Sequence, residues 1–317
     1  MRTVLVTGVG AIIGYGIIKS LRSSRFSVRI IGMDIYPDAI GSKWCDEFVQ
    51  ALPANHPDYL SFLRSLITTY NVDLVIPGIE QDIDRIAMEI DQLQVTNFAI
   101  NNLELINVSR DKWLMNNKLL ELGYSVIPTA INGEFLDLSR KLGVPMLLKP
   151  RISYASKGIC RIDNDADFQY WKLKSGSNFM VQQIVGNDDE EYTVGAFGLG
   201  DGTTSGKIAF QRKLSGEGST AKAKVVQLPE LDKMVDRLIY SFKPIGPTNF
   251  QFRRHNNQFL LLEINPRISS STSLRTAFGY NEAEMCMEYY VNGVKPGNRE
   301  ILRGSAIRYI EDAVTLE

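Results

Sequence analysis

Two runs of residues, 249–253 and 259–265, alternate between apolar and polar side chains and constrain the fold of this chain more than any other part of it. Successive side chains of a strand point to opposite faces, so each run predicts a strand with one apolar face. If the apolar residues of both strands share a face, the strands form a hairpin that pairs Phe252 with Leu262. This pairing requires a loop with an odd number of residues, centred near Asn257.

The same register gathers polar side chains on the other face of the hairpin. Gln251 lies opposite Glu263, with Asn265 two residues further along, and a shift of one residue would bury Gln251. Magnesium prefers oxygen ligands and is usually held by one or two carboxylates together with phosphates and water. Arg267 adds a guanidinium that could clamp a phosphoryl or carboxylate group. The sequence therefore predicts a magnesium site, and the alternative is a polar face that merely meets water.

Composition narrows the remaining classes of function. The chain has 317 residues, 44% of them apolar, and a net charge of −1, so it can bury a large core and is not expected to bind nucleic acid or an acidic membrane. Its three scattered cysteines are typical of reduced thiols in a cytoplasmic protein. Only two histidines occur, which excludes a histidine-rich zinc site. Neither a signal segment nor a membrane-spanning apolar run is visible.

Strands and helices alternate over roughly the first hundred residues. Apolar strands are predicted at 4–6, 29–33 and 73–77, and helices at 17–21 and 61–70. Such an order predicts a doubly wound parallel α/β sheet. Beyond residue 109 the pattern changes to isolated helices and β-rich segments, which predicts α+β structure.

A glycine-rich turn at 7–14, followed by Asp34 at the end of the next strand, is similar to the signature of dinucleotide-binding proteins. The spacing departs from that signature, because three residues separate Gly10 from Gly14 where the signature has two. A first βα turn needs glycines for its tight geometry whatever it binds. We therefore favour a structural role for these glycines, and an NAD(P)-dependent oxidoreductase or epimerase is the alternative.

Two lysines stand where a positive charge is unfavourable without a ligand. Lys149 ends an apolar strand, where burial of an unpaired charge is costly, and Lys112 begins a helix, where a cation opposes the helix dipole. A phosphate would be a partner for both lysines, and two solvated lysines are the alternative. The loop after Lys149 contains Ser153, Ser156 and Lys157 and is suited to covering phosphates with its backbone N–H groups.

A further segment could contact the base and ribose of a nucleotide. Gln183, Ile184 and Val185 form the end of a predicted strand whose backbone could meet a flat heterocycle. Glu190 or Glu191 could then accept hydrogen bonds from ribose hydroxyls. An acidic solvated turn is the alternative for these two glutamates.

Taken in this order, the residues resemble the ATP-grasp superfamily, and most closely its carbamoyl-phosphate-synthase-like branch. The resemblance covers nearly the whole chain, and its strongest part is the series Gln251, Glu263, Asn265 and Arg267, which has the order of the family motif. It implies a Rossmann-like pre-ATP-grasp domain followed by a two-lobed ATP-grasp fold. The implied domains are residues 1–105, an N-lobe at 106–181 and a C-lobe at 182–317.

The resemblance also assigns roles to the candidate residues. Lys112 and Lys149 would contact the phosphates of ATP, the backbone of 183–185 the adenine, and Glu191 the ribose. All the implied contacts to ATP are Lys112, Lys149, Ser153, Ser156, Lys157, Gln183, Ile184, Val185 and Glu191.

The implied metal ligands are Gln251, Glu263 and Asn265, which would hold Mg²⁺ or, in its place, Mn²⁺. Arg267 and Lys149 would be catalytic, because both would stabilise the transferring phosphoryl group. These residues are intact, which favours catalysis over a relic that only binds nucleotide.

Two positions depart from the family pattern. Ser153 and Ala155 stand where the phosphate loop usually has glycines, so the loop is expected to be stiffer. Gln183, or Gln182 if the register shifts, replaces the usual glutamate beside the adenine. Since the backbone reads adenine there, this replacement is compatible with ATP binding.

The function implied by the resemblance is ATP-dependent ligation of a small-molecule carboxylate to an amine or ammonia through an acyl phosphate. Two rivals are the NAD(P)-dependent enzyme described above and a non-catalytic ATP-binding subunit. The residues that follow Arg267 are candidates for lining the acceptor pocket, namely Ser269, Ser270, Ser271 and Arg275. We expect a cytoplasmic protein, and a homodimer is left open.

Overall fold

The computed structural model of the chain describes residues 1–93, 95–153, 158–216 and 218–314. No helix in these ranges has the length and apolar character needed to cross a membrane. The strands of the described ranges are β1 (Arg2–Thr7), β2 (Val28–Asp34), β3 (Glu47–Gln50), β4 (Leu74–Ile76), β5 (Asn97–Phe98), β6 (Thr129–Ala130), β7 (Met146–Pro150), β8 (Cys160–Ile162), β9 (Phe179–Gln183), β10 (Glu191–Leu199), β11 (Thr204–Leu214), β12 (Thr220–Val226), β13 (Ile245–His255), β14 (Gln258–Asn265) and β15 (Ser305–Ile307).

The helices connect these strands and cover the sheets. The α-helices of the described ranges are α1 (Ile12–Arg22), α2 (Tyr59–Tyr70), α3 (Glu80–Met88), α4 (Leu103–Arg110), α5 (Lys112–Glu121), α6 (Phe135–Leu142), α7 (Asp165–Ser175), α8 (Pro229–Phe242), α9 (Thr272–Ala277) and α10 (Glu282–Cys286). Short 3₁₀ helices occupy Ile40–Trp44, Ile90–Leu93 and Asp188–Glu190, and a π-helical turn at Met287–Val291 continues α10.

The first sheet is parallel, with the strand order β3-β2-β1-β4-β5. Its central strand is apolar on both faces, because Val4 and Val6 pack into one core cluster and Leu5 into another on the opposite side. A strand buried on both faces needs such a continuous apolar run. The predicted doubly wound α/β domain is therefore confirmed.

Two antiparallel sheets make up the rest of the chain. A four-stranded sheet has the order β6-β9-β7-β8, and a six-stranded sheet has the order β14-β13-β10-β11-β12-β15. The predicted α+β fold after the parallel domain is confirmed. The three-domain division stays a prediction. Its boundaries at 105/106 and 181/182 fall within α4 and within β9, respectively.

The tip of the β13–β14 hairpin differs from the prediction. His255 pairs with Gln258, so Asn256 and Asn257 alone form the turn, and both have positive φ, at 48° and 60°. The predicted odd loop centred near Asn257 is therefore wrong. A two-residue turn with two left-handed residues matches the twist of a hairpin, and asparagine tolerates that conformation better than most residues.

A bulge in β14 reconciles the short turn with the predicted polar pairing. Gln251 pairs with Glu263 as predicted, but Phe252 pairs with Leu261, so the predicted partner Leu262 is wrong. One extra residue in β14 faces Gln251, and bulges of this kind redirect side chains. Leu262 consequently packs in a different cluster from Phe252 and Leu261.

The glycine-rich turn after β1 is satisfied by the chain itself. Asp34 Oδ2 accepts a hydrogen bond of 2.7 Å from the Gly10 backbone N–H, and its Oδ1 accepts one of 3.0 Å from the Tyr36 N–H. A Cβ added to Gly14 would lie 2.1 Å from the carbonyl oxygen of Gly8. The absence of a side chain at Gly14 thus permits the close packing of α1 on the turn, in agreement with the structural role that we favour.

Candidate functional site

The polar face of the β13–β14 hairpin brings the three predicted metal ligands together. Glu263 pairs with Gln251 across the ladder, and Asn265 pairs with Asn249. Asn265 Nδ2 donates a hydrogen bond of 3.0 Å to Glu263 Oε1, and Gln251 Oε1 accepts one from Arg212. The side chains are therefore held in fixed orientations before any ligand binds.

Arg212 is a buried cation of this site. Its side chain is 4% exposed, and its Nη2 lies 2.9 Å from Glu191 Oε1. The other Glu191 oxygen lies 2.8 Å from Arg253 Nη2. The carboxylate predicted to contact ribose is thus paired with two arginines, and the ribose contact stays a prediction. Alternation along β11 was the missed signal, because Ile208 and Phe210 are buried in the same register as Arg212.

Lys149 reaches the site from β7 in the four-stranded sheet. The residue is 7% exposed, and its Nζ donates a hydrogen bond of 2.7 Å to Gln182 Oε1. Gln182 in turn donates to Thr129 Oγ1 at 3.0 Å. Within the described ranges Lys149 thus has a neutral partner and no carboxylate in direct contact, which is the condition that favours an anionic ligand.

Lys112 begins α5 and lies close to the same centre. Its Nζ donates to the backbone oxygen of Ser153 at 3.2 Å and to Ser153 Oγ at 3.1 Å. The other predicted loop residues, Ser156 and Lys157, lie outside the described residues. Ser153 therefore lies beside Lys112, and its contact with phosphate stays a prediction.

The electrostatics of the two lysines connect them with Glu263. Burial and, to a smaller extent, the charge of Lys112 lower the pKa of Lys149 to about 8, against the opposing effect of Glu263. Burial also lowers the pKa of Lys112, again against the effect of Glu263 and Asp111. One carboxylate thus acts on both ammonium groups. The structure therefore brings two lysines close to the carboxylate that is predicted to bind a metal ion.

An apolar wall adjoins this polar centre. Val185, Ile127 and Leu260 form one buried cluster, and the bulge adds Leu262 to it. The backbone N–H of Gln183 donates to the carbonyl of Pro128 at 3.0 Å, so it is not free for a ligand. An apolar surface beside the end of β9 is compatible with the predicted adenine contact of 183–185, which stays a prediction.

Arg267 extends the site towards the parallel domain. Its Nη2 donates to Asn265 Oδ1 at 3.2 Å, and its Nη1 donates to the carbonyl of Ile268 at 3.1 Å. Its Nε lies 2.9 Å from Glu80 Oε1, at the first residue of α3. Arg267 therefore links the β13–β14 hairpin with the parallel domain, and no contact to Glu80 was predicted.

One of the residues predicted to line the acceptor pocket, Arg275, makes contacts in the interior of the protein. Arg275 is fully buried, with its Nη1 3.0 Å from Glu282 Oε1 and its Nη2 2.5 Å from Asn249 Oδ1. These contacts hold the guanidinium beneath the six-stranded sheet. Ser270 is partly exposed, whereas Ser269 and Ser271 are buried.

The donor atoms of the hairpin fit magnesium better than a transition metal. In the described part of the chain no group of three or more His, Cys, Asp or Glu residues could hold a metal ion. The candidate site offers one carboxylate, from Glu263, and the carboxamide oxygens of Gln251 and Asn265. Oxygen donors with few protein carboxylates are the set that magnesium takes together with phosphates and water.

Comparisons with known proteins identify the class. N5-carboxyaminoimidazole synthetase of Staphylococcus aureus, solved in complex with ADP, superposes with a TM-score of 0.74 at 20% identity over 95% of this chain and 80% of that chain. Biotin carboxylase of Campylobacter jejuni gives 0.74 at 14% identity over 96% and 74%. At these identities the likeness shows the fold, and the chain therefore has the fold of ATP-grasp enzymes.

More particular similarities lie within that class. A family described as ATP-grasp in the biosynthetic pathway with Ter operon matches residues 177–313. The formate-dependent phosphoribosylglycinamide formyltransferase of Prochlorococcus marinus is 25% identical over 276 residues, which cover 83% of this chain and 70% of that protein. The resemblance to the ATP-grasp superfamily that the sequence predicts is confirmed. Its carbamoyl-phosphate-synthase-like branch stays a prediction.

Proposed function

We propose that the chain activates a small-molecule carboxylate with MgATP and transfers the acyl group to an amine or ammonia. A carboxylate oxygen attacks the γ-phosphorus of ATP, and ADP leaves. The amine nitrogen then attacks the acyl carbon, inorganic phosphate leaves, and an amide forms with loss of a proton from nitrogen. The supporting observation is the convergence of Lys112, Lys149 and Glu263 on one centre.

Each group in this centre has a role that phosphoryl transfer requires. The reaction depends chiefly on positioning and on neutralising charge, so it needs no nucleophilic side chain. Lys112 and Lys149 would neutralise the phosphates, and Arg267 the transferring group. Glu263 with the carboxamides of Gln251 and Asn265 would hold magnesium, which would supply positive charge to neutralise the phosphates.

The carboxylate and the amine are proposed only as classes. The names of the similar proteins include formate and L-amino acids, the latter in a Bacillus licheniformis ligase that superposes with a TM-score of 0.69 at 13% identity. We therefore choose formate, bicarbonate and the twenty amino acids as carboxylates, each with ammonia or an amino acid as the amine. Release of ADP in a coupled assay detects productive pairs.

Replacing the proposed metal ligand tests the function directly. We expect Glu263→Ala to lower substrate-dependent ADP release by about 100-fold or more, because an interaction made with the transferring charge is lost. The fold should be retained, since Glu263 is only partly buried. Far-UV circular dichroism and thermal unfolding measure retention of the fold. Turnover equal to that of the unmodified protein would contradict the metal site.

The two rivals predict different ligands. A thermal shift by MgATP but not by NADH supports the ligase, whereas a shift by NADH alone supports the oxidoreductase. Binding of MgATP without ADP release for any pair supports the non-catalytic subunit. A homodimer and a cytoplasmic location remain proposals, and sedimentation velocity tests the former.

A further inference from the structure

An ion pair joins the proposed catalytic arginine to the parallel domain. Arg267 Nε lies 2.9 Å from Glu80 Oε1, and Arg267 Nη2 donates to the same oxygen. The two side chains are 13% and 27% exposed, respectively. The two residues are 187 positions apart in the sequence, so the contact exists only in the assembled fold.

The donors of Arg267 are almost all engaged. A guanidinium has five N–H groups. Four of them are used, by Glu80 twice, by Asn265 Oδ1 at 3.2 Å and by the carbonyl of Ile268 at 3.1 Å. Among the described residues, one N–H of Arg267, on Nη1, has no partner and is left for a ligand. The contacts therefore fix both the plane of the guanidinium and the single direction in which it can donate.

Glu80 is itself held by a rigid backbone. It is the first residue of α3, directly after the β4–α3 turn. In that turn the Gly78 N–H donates to Thr7 Oγ1 at 3.2 Å, and a Cβ at Gly78 would lie 2.3 Å from the Thr7 carbonyl oxygen. The turn is thus packed against β1, and it places the carboxylate of Glu80 with little freedom.

The ionisation of Glu80 is consistent with a lasting pair. Burial acts to raise the pKa of its carboxyl, but the charge of Arg267 and its hydrogen bonds outweigh burial and lower the pKa. Glu80 is therefore ionised at neutral pH.

We propose that Glu80 is a positioning residue, which holds the Arg267 guanidinium so that its one free N–H points at the transferring phosphoryl group. The inference rests on the proposed function. It means that the parallel domain supplies part of the active site of the other two units. A partly exposed ion pair adds little stability, so the consequence of losing Glu80 should appear in catalysis, where misplacement of about 1 Å can cost 100-fold.

The test uses ligands that require no acceptor substrate. The affinity for Mg-ADP measures binding in the ground state. Mg-ADP with aluminium fluoride mimics the transferring phosphoryl group, so its affinity also includes interactions made in the transition state. For Glu80→Ala and Glu80→Gln we expect Mg-ADP to bind within about twofold of the unmodified protein. Binding of the fluoride complex should weaken by about tenfold or more. Isothermal titration calorimetry measures both affinities.

A double-mutant cycle shows whether Glu80 acts through Arg267. If it does, Glu80→Ala should have no further effect on the fluoride complex in an Arg267→Ala background. Glu89→Gln is the matched control, because Glu89 ends the same helix and pairs with Arg85 at 2.7 Å on the surface. This control should change neither affinity.

Several results would overturn the proposal. Equal weakening of both complexes by Glu80→Ala, or an effect that persists without Arg267, would show that Glu80 does not act by positioning this arginine. Tighter binding of the fluoride complex by Glu80→Ala would show that the ion pair restrains Arg267. If the unmodified protein binds the fluoride complex no more tightly than Mg-ADP, the proposed phosphoryl transfer itself fails.

Discussion

Lys149 illustrates how a single residue is adapted to a ligand that carries the opposite charge. Its side chain lies in the interior with a carboxamide as its nearest partner, 2.7 Å from Gln182. A buried ammonium with a neutral partner costs free energy in the unliganded protein. Binding of a phosphate would recover that cost. The destabilised charge thus becomes part of the affinity for ATP.

The lowered pKa of Lys149 predicts a pH-dependent affinity for MgATP. The pKa lies at about 8, below its ordinary value because of burial and then of Lys112. The charged form is therefore present below this pH and is lost as pH rises through it. We expect affinity to fall by about tenfold between about pH 7 and about pH 9, in line with the loss of one protonated group. Calorimetric titration at several pH values measures the change.

A variant isolates this residue from other titrating groups. Lys149→Met should bind MgATP more weakly at neutral pH and should show a much flatter dependence over the same range. A dependence as steep as that of the unmodified protein would assign the effect to another group.

At the scale of elements, the β13–β14 hairpin shows what alternation can and cannot predict. Alternation correctly paired Gln251 with Glu263, because the buried phenylalanines fix the register on one side. It failed beyond that pair, since a period of two has no place for an extra residue. The two-residue turn at Asn256–Asn257 and the Gln251–Glu263 pairing differ by one residue in register, so β14 must contain a bulge. Alternation alone predicts the pairing but not the length of the turn.

Other parts of the site were beyond prediction for a different reason. Lys112 and Lys149 were identified because each is unfavourable in its own local setting. Glu80 and Arg212 matter through contacts with distant residues. Nothing in its own segment marks Glu80 as a member of the site, and alternation along β11 indicates only that Arg212 is buried. Local chemistry was thus readable from the sequence, whereas contacts between domains required the structure.

The bulge gives a prediction that compares two neighbouring leucines. Leu262 packs with Val185 on the face of the site, whereas Leu261 packs in the core cluster of Phe252. We expect Leu262→Ala to weaken MgATP binding several-fold with a small loss of stability, because it removes apolar surface beside the proposed adenine. Leu261→Ala should lower the free energy of unfolding by about 2 kcal/mol or more. Titration and chemical unfolding measure the two quantities.

The contrast between the leucines is itself the control. If Leu261→Ala weakened MgATP binding as much as Leu262→Ala at equal folded fractions, the apolar wall would not be the adenine contact.

At the scale of the whole molecule, the parallel domain supports the site without the dinucleotide role that its glycines suggest. Asp34 occupies the N–H of Gly10, and Gly14 permits contact of α1 with the turn. The same domain supplies Glu80 to Arg267. Its contribution is therefore a set of contacts at the edge where the parallel strands end.

Gly14→Ala should destabilise this domain. An added Cβ would lie 2.1 Å from the Gly8 carbonyl oxygen and 2.8 Å from the Val9 Cα, both backbone atoms, so the helix must move. We expect a loss at or above the upper end of the range of about 1–3 kcal/mol that overpacking typically costs, seen as a lower thermal midpoint. Gly297→Ala is the control, because a Cβ there meets nothing within 4 Å. An unchanged midpoint for Gly14→Ala would show that the turn has room.

The bulge in β14 also makes the geometry of the site independent of the residues at the tip of the hairpin. Because the register is reset at Leu262, between the tip and the Gln251–Glu263 pair, the exposed Asn256–Asn257 turn has no part in aligning the metal ligands. The tip is therefore a modular position, at which a short peptide tag or a spectroscopic probe can be inserted. A reporter placed there would sense movement of the hairpin while the ligand set stays in register.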